Sequence, residues 1–374
     1  MKVYSLAGIL ALMLGTIGCG AGSGRFLYVV GPGTNSVLGF KQSPSGAITA
    51  LTTGFSTDST PVSVVVHPSG QFAYVANFNG QNISLFARDS GKGALTTSKD
   101  PTTGNVLGPF AVTGSPIAMA MNPNGQFLYV LIQTATAVPG NPGQVQASIF
   151  AFTVDGTSGN LTAINGSPFQ TPAGAVSVPV SIAVTANSKF LYIADSAQGT
   201  VAGFVISSTG ALSPMQSSPF ALGTAPAFVA VDPQAKFLYV AAPTANQVLA
   251  FTLDANTGAP APISGSPFAA GTRPVSLSVD STGVLLVAAN QGSNSVSAYS
   301  INTGTGALSQ TTGSPFATGT TPVFVTIDST NRFVYVADSG SNDITAFSLS
   351  NGTLKNVVGS PFNITSSPAW ITSR

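Results

Sequence analysis

"TPVSVVVHPSGQFAYVANFNGQNISLFARDSGKGAL", Thr60 to Leu95, holds four short apolar segments separated by turns. A Pro-led strand (Pro61–Val66) turns at His67–Gly70 into a strand built on Phe72-x-Tyr74. A polar turn follows, then the alternating "NISLF", then a Gly-led "GAL". The apolar positions recur with period two, the strand period, and no 3.6-residue period is present. The aromatic doublet returns as Phe26-x-Tyr28, Phe127-x-Tyr129, Phe190-x-Tyr192, Phe237-x-Tyr239 and Phe333-x-Tyr335, and once without its rings as Leu285-x-Val287. With Phe72-x-Tyr74 that makes seven copies.

Each copy carries the same other parts. The third segment reads "NSVLGF", "QASIFAF", "GTVAGF", "NQVLAF", "NSVSAY" or "NDITAF" elsewhere, and the fourth is led by glycine, which supplies a turn with positive φ. A Phe recurs in the connection, often as Ser-Pro-Phe, and a Pro opens the next copy at 61, 116, 179, 226, 274, 322 and 368. Proline and the restricted residue before it predict an extended crossing. The strand after that Pro is rich in small side chains ("VSVVV", "VSIAV", "VSLSV"), as an innermost strand near a central axis requires.

Four strands per unit and seven units predict an all-β, seven-bladed propeller of four-stranded antiparallel blades, an architecture that leaves only short sheet edges. A solenoid of the same units is the rival, but it would need capping repeats. The chain starts at a second strand (Phe26) and ends with a first ("SPAWITSR", Ser367–Arg374), so the C-terminal strand is expected to close the ring against the N-terminal strands.

Composition narrows the function. Charged residues are 6% of the chain, with eleven Asp, no Glu and a net charge of +1, and no basic run is present to follow a phosphate backbone, so no nucleic-acid partner is expected. Hydrophobic content of 44% with 23 Phe excludes a disordered chain. Residues 1–19 read as an export signal: Lys2, an apolar run from Leu6 to Ile17, then Cys19 in a lipobox-like setting, with Thr16 where lipoproteins carry Leu. Cys19 is the expected lipidation site and plain signal cleavage the alternative; residues 20–24 form a linker and 25–374 a single propeller. The protein is expected in the cell envelope as a membrane-anchored lipoprotein, or as a periplasmic or secreted one, monomeric, and attached to a membrane only through that anchor.

The repeat Thr60–Leu95 resembles the seven-bladed propeller family of 6-phosphogluconolactonase-like lactonases, which includes a carboxymuconate cycloisomerase branch, and is similar to YVTN-type surface propellers. The resemblance covers residues 25–374. For the enzymatic branch it implies a Pro-His pair at the start of an inner strand and an Asp-x-Gly-x-Asp-like pattern after the second strand. Here Val62, Ile117, Val180, Ala227, Val275, Val323 and Ala369 follow the leading prolines, and the second pattern survives as "DSAQGT" from Asp195 and "DSGSND" from Asp338.

Strand direction puts the second-to-third turns and the blade-to-blade crossings on one rim. There Asn77, Asp195, Asn290 and Asp338 end second strands, forming a polar partial ring, and Arg273 precedes Pro274. A carbonyl or carboxylate held by the Arg273 fork, with Asp195 or Asp338 as base, is the catalytic reading; turn stabilisation by Asn and Asp is the structural one. Two insertions, 131–148 and 169–179, fall on the same rim. His67 shares a turn column with Asn122, Asp232, Asp280 and Asp328 on the other rim, and one His with one Cys offers no zinc site. No metal and no cofactor are expected. The leading expectation is an exported propeller that binds a small molecule, a carbohydrate or an envelope protein at the crossing-loop rim without efficient catalysis. A lactone hydrolase or cycloisomerase, and a purely structural surface propeller, are the alternatives.

Overall fold

A computed structural model describes residues 24–31, 33–51, 54–138, 141–171, 177–350 and 352–374. The export signal and Cys19 lie outside the described residues. Those described form seven antiparallel sheets arranged as blades, with no helix among them.

Each blade runs from the axis outward in chain order. Blade 2 shows the plan: Pro61–Val66 innermost, then Phe72–Asn77, Asn82–Arg88 and Leu95–Thr97. The innermost strand of blade 1 is Trp370–Ser373, which pairs with Phe26–Gly31 through Val30↔Trp370, Val29↔Ile371, Tyr28↔Thr372 and Leu27↔Ser373. Beyond it, Phe26 and Arg374 exchange backbone hydrogen bonds of 2.7 and 2.8 Å. The ring is therefore closed within one blade by strands from both ends of the described chain.

The blades hold a fifth strand beside the four expected. The recurrent Phe of the connection begins a two-residue strand, such as Phe268–Ala269, that pairs with the opposite end of the third strand from the fourth. The outer position is thus one interrupted strand, and the interruption explains Ser-Pro-Phe. The serine hydroxyl accepts the third-strand N–H that would otherwise lack a partner: Ser167 from Ala151, Ser218 from Gly203, Ser266 from Ala250, Ser314 from Ala298 and Ser360 from Ala346, all at 2.9 to 3.0 Å.

The aromatic doublet ties neighbouring blades together. Each tyrosine is fully buried and donates to the carbonyl of the turn glycine before the next blade's fourth strand: Tyr28 to Gly93, Tyr74 to Gly159, Tyr129 to Gly210, Tyr192 to Gly258, Tyr239 to Gly306, and Tyr335 to Gly46 across the closure. Those glycines have φ between 70° and 89°, and the doublet Phe lies where a Cβ on the glycine would point. Val287 makes no such bond, so the seam between blades 6 and 7 lacks this tie.

Three of the seven crossings depart from the extended form expected. Thr60, Arg273 and Thr321, each directly before a leading Pro, have φ of 56° to 59°. Their N–H groups donate to the side-chain oxygens of Asn35, Asn246 and Asn294, in the second-to-third turns of the preceding blades, at 2.8 to 2.9 Å. That bond compensates for the left-handed backbone and fixes the crossing to the turn beside it.

The 131–148 insertion is not a loose loop. Phe127–Val138 and Asn141–Val154 continue as a paired hairpin beyond the blade, as far as Val138↔Asn141. Part of the second insertion, 172–176, lies outside the described residues.

Candidate functional site

The crossings and second-to-third turns do share a rim, since Pro61 pairs with Asn77, Pro179 with Asp195, Pro274 with Asn290 and Pro322 with Asp338. All four residues of the polar ring are buried. Asn77 donates from Nδ2 to Asn82 Oδ1 (2.8 Å) and Ser84 Oγ (2.9 Å), and Asn290 donates to Ser297 (2.9 Å) and Ser295 (3.3 Å). The Asp195 carboxylate accepts from the Ser177 hydroxyl (2.5 Å) and from the N–H groups of Val178, Ala197 and Gln198, each at 3.1 Å. Three of these donors meet Oδ1 and one meets Oδ2, which holds the carboxylate in the turn.

Asp338 differs from the other three. Its Oδ2 accepts from Thr345 Oγ1 (2.6 Å) and Thr345 N (3.2 Å), while its Oδ1 and that of its cross-strand partner Asp343 are buried with no other partner. Burial, then the Asp343 charge, raise the Asp338 carboxyl to about 7 against the opposing Thr345 hydrogen bonds. A carboxyl facing a like charge in a low-dielectric site favours its protonated form. The blade equivalents Asn77–Asn82 and Asn290–Ser295 solve the same contact with neutral groups.

Arg273 is brought to none of these carboxylates. Its side chain is exposed, and its described hydrogen bonds are made by its backbone, the N–H donating to Asn246 and the carbonyl accepting from Gln291 N–H. Because Thr60 and Thr321 share its conformation, the left-handed backbone belongs to the crossing and not to a role of the arginine.

The innermost column supplies what the sequence reading missed. Two residues after the leading Pro stand Ser63, Ala118, Ser181 and Ser276, all buried, but also Phe228, Phe324 and Trp370. The Phe324 and Trp370 rings lie 4.0 Å apart between centroids, Phe228 and Phe324 5.6 Å and Phe228 and Trp370 6.5 Å. Blades 7 and 1 are neighbours across the closure, but blade 5 adjoins neither, so the Phe228 ring can reach the other two only across the central channel. They form a half-buried aromatic floor one pleat below the crossing-loop rim. The signal was readable: three large rings in a column otherwise filled by Ser and Ala.

On the other rim His67 is a turn residue. Its Nδ1 accepts from Ser69 N (3.1 Å) and lies 2.8 Å from Ser69 Oγ, and its Nε2 donates to Gly125 O (3.1 Å) in the next blade. Burial pushes its pKa down. Asp232, Asp280 and Asp328 in the same column cap the start of the second strand, accepting from Phe237, Leu285 and Phe333 N–H. Among the described residues no cluster of His, Cys, Asp or Glu could hold a metal ion, and no helix is long and apolar enough to cross a membrane.

A family model described as "Lactonase, 7-bladed beta-propeller" matches residues 21–108, 100–222 and 212–326. A search of curated proteins finds no match. Among solved structures, a candidate 6-phosphogluconolactonase of Bacteroides uniformis superposes with a TM-score of 0.77 at 16% identity, covering 94% of this chain and 100% of its own. A second, from Bacteroides fragilis, gives 0.74 at 19% identity, with 95% and 99% covered. The periplasmic gluconolactonase of Pseudomonas aeruginosa gives 0.74 at 17%, with 94% and 99% covered. At such identities the superpositions speak to fold alone. The match to the family model covers most of the chain, and the chain belongs to the lactonase seven-bladed β-propeller family.

Proposed function

We propose that this lactonase-family propeller is an exported, lipid-anchored binding protein that holds a cyclic small molecule, a sugar or an aromatic lactone, against the aromatic floor of its crossing-loop rim, without efficient hydrolysis. The observation that carries this reading is the Phe228–Phe324–Trp370 cluster. Rings packed at these distances offer an apolar face for stacking, and a flat ligand face gains by covering it. Arg273, exposed at the same rim, supplies a charged fork for a ring carbonyl or carboxylate. Against catalysis stand the satisfied Asp195 carboxylate, the burial of Asp338 beneath the rim, and the apolar residues that follow every leading Pro.

Lactone hydrolysis is the second reading. It is favoured by family membership, by neighbours described as gluconolactonases, and by an Asp338 carboxyl raised to about 7, a value suited to proton transfer. A titration of Trp370 fluorescence with sugar and aromatic lactones, run beside a turnover assay, separates the two. Saturable quenching without turnover, weakened by Phe324→Ala, is expected. Turnover abolished by Arg273→Ala or Asp338→Asn would overturn the binding reading in favour of hydrolysis. For the anchor, the expected result is acyl labelling that disappears in Cys19→Ala; equal labelling of both would remove it. The periplasmic neighbour supports an envelope location.

A further inference from the structure

The chain has five arginines, and three of them, Arg25, Arg88 and Arg374, line one cavity of about 410 Å³ on the rim opposite the crossing loops. Gly24, Ser69, Gly70, Ser90 and Ser329 complete its wall. The cavity lies at the ring closure: Arg374 follows the innermost strand of blade 1, Arg25 precedes its second strand, Arg88 ends the third strand of blade 2, and Ser329 lies in a turn of blade 7.

Arg88 is a built-in guanidinium. It is 8% exposed, its Nε donates to Tyr28 Oη (2.8 Å) and its Nη1 to Gly70 O (2.8 Å), and it stands over the Phe26 and Tyr28 rings at 5.3 and 5.7 Å. Two of its five N–H donors are engaged in this way, and stacking on two rings fixes its plane. A second guanidinium approaches the same point: a Cβ placed on Gly70 would lie 3.3 Å from Arg88 Nη1 and 3.7 Å from Arg374 Nε. Burial and the Arg88 charge both lower the Arg374 pKa, the mark of like charges converging.

No Asp lines the cavity, and the chain has no Glu. The flanking acids are committed elsewhere. Asp89 accepts from Gly91 and Lys92 N–H in its own turn, and Asp328 accepts from Arg332 and Phe333 N–H and from Thr330 and Gln42. Among the described residues Asp89 is the one carboxylate whose charge is felt at Arg88, and three clustered guanidiniums destabilise a fold unless a further anion completes the site.

We propose that Arg25, Arg88 and Arg374 form a binding site for a phosphate-class anion at the closure seam, distinct from the crossing-loop rim. Guanidinium forks match the paired oxygens of a phosphate, and the seryl hydroxyls add neutral donors. The bound anion bridges the closing strand to blade 2 and so reinforces the ring. Its source is either a soluble phosphate or the headgroup of an anionic phospholipid. The five residues between Cys19 and Arg25 reach at most about 18 Å when extended, so a lipid-anchored chain would keep this rim near a membrane surface.

The test uses the full chain carrying Cys19→Ala, so that no acyl group contributes. Melting temperature is followed against inorganic phosphate at constant ionic strength, with Arg25→Gln/Arg374→Gln as the informative variant because both side chains reach solvent; Arg88→Gln is a second. A saturable rise in the parent and at least tenfold weaker apparent affinity in the double variant are expected. In a parallel arm, cosedimentation with phosphatidylglycerol vesicles, compared with phosphatidylcholine, tells the sources apart. Arginine-dependent vesicle binding marks a lipid headgroup, and a phosphate response without it marks a soluble ligand. An equal rise in parent and double variant, as general salting effects produce, together with no arginine-dependent vesicle binding, overturns the proposal.

Discussion

The missing tie between blades 6 and 7 can be restored, and restoring it tests the account of how this ring coheres. Leu285 and Val287 stand where the other blades carry Phe and Tyr, and a cavity of about 460 Å³ opens at that seam, lined by Leu285, Thr311, Leu349 and Gly352 among others. A Cβ on Gly306 would meet the Phe237 ring at 2.5 Å, whereas one on Gly352 meets nothing closer than Thr311 at 3.3 Å, so the ring's place is open. Leu285→Phe/Val287→Tyr should fill that space and give the Gly352 carbonyl its donor. The hydrogen bond contributes about 1 kcal/mol net. The added ring surface contributes about 1–2 kcal/mol. A cavity of about 150 Å³ accommodates benzene, so strain from overpacking should take back less than half. The expected gain is about 2 kcal/mol. The converse, Tyr239→Phe, removes one tie and strands the Gly306 carbonyl, at about 1–3 kcal/mol. Urea unfolding of both variants and the parent, compared at equal m, gives the signs. A neutral Tyr239→Phe together with a destabilised double variant would refute the tie.

Three further outcomes follow from the geometry. Because the Asp338 carboxyl is raised to about 7 in the fold, the native state holds a proton that the unfolded chain releases near pH 4. Stability from this group is present below about pH 4 and falls as pH rises towards 7, so Asp338→Asn should flatten that slope and raise the melting temperature at pH 8, and an unchanged slope would dismiss the raised Asp338 carboxyl. Removing residues 367–374 strips the innermost strand from blade 1 and should lower the melting temperature far more than trimming a frayed end would, and a melting temperature equal to that of the parent would contradict ring closure. Ser266→Ala leaves the Ala250 N–H without its acceptor and should cost about 1 kcal/mol, measured as a shift in the urea midpoint; no shift would show that water replaces the hydroxyl.

The architecture was legible because each blade repeats a chemistry of its own. The Tyr column, the turn glycine and the Ser-Pro-Phe connection recur at fixed spacing, and the structure shows each to be one half of a specific bond: Tyr239 to Gly306, Ser266 to Ala250. The fifth strand was hidden in the connection because a two-residue pairing leaves no period to read. The conformation of three crossings, before Pro61, Pro274 and Pro322, was misread from proline alone. The residue before Pro274 or Pro322 is held left-handed by an Asn that lies some 27 positions earlier in sequence, and no local rule sees that bond. The polar ring was placed on the correct rim, yet burial cannot be read from strand ends. Asn77 and Asp338 point into hydrogen bonds within their blades, and the aromatic floor came from three residues whose equivalents are Ser and Ala.

The same limit accounts for the arginines. Along the sequence Arg25, Arg88 and Arg374 are isolated charges in a chain with a net charge of +1, and nothing in their spacing suggests a basic site. Ring closure brings the ends of the described chain together, so residues some 350 positions apart come to line one cavity. A propeller closed within one blade makes that seam a place where chemistry can be assembled from both ends of the described chain, and where a bound anion would act first on the closing strand. If phosphate binds there, its effect should be largest on the step that releases Trp370–Ser373. Hydrogen exchange at Tyr28 and Ile371, whose strands pair across the closure, should then slow with phosphate while exchange at Tyr239, on the far side of the ring, stays unchanged.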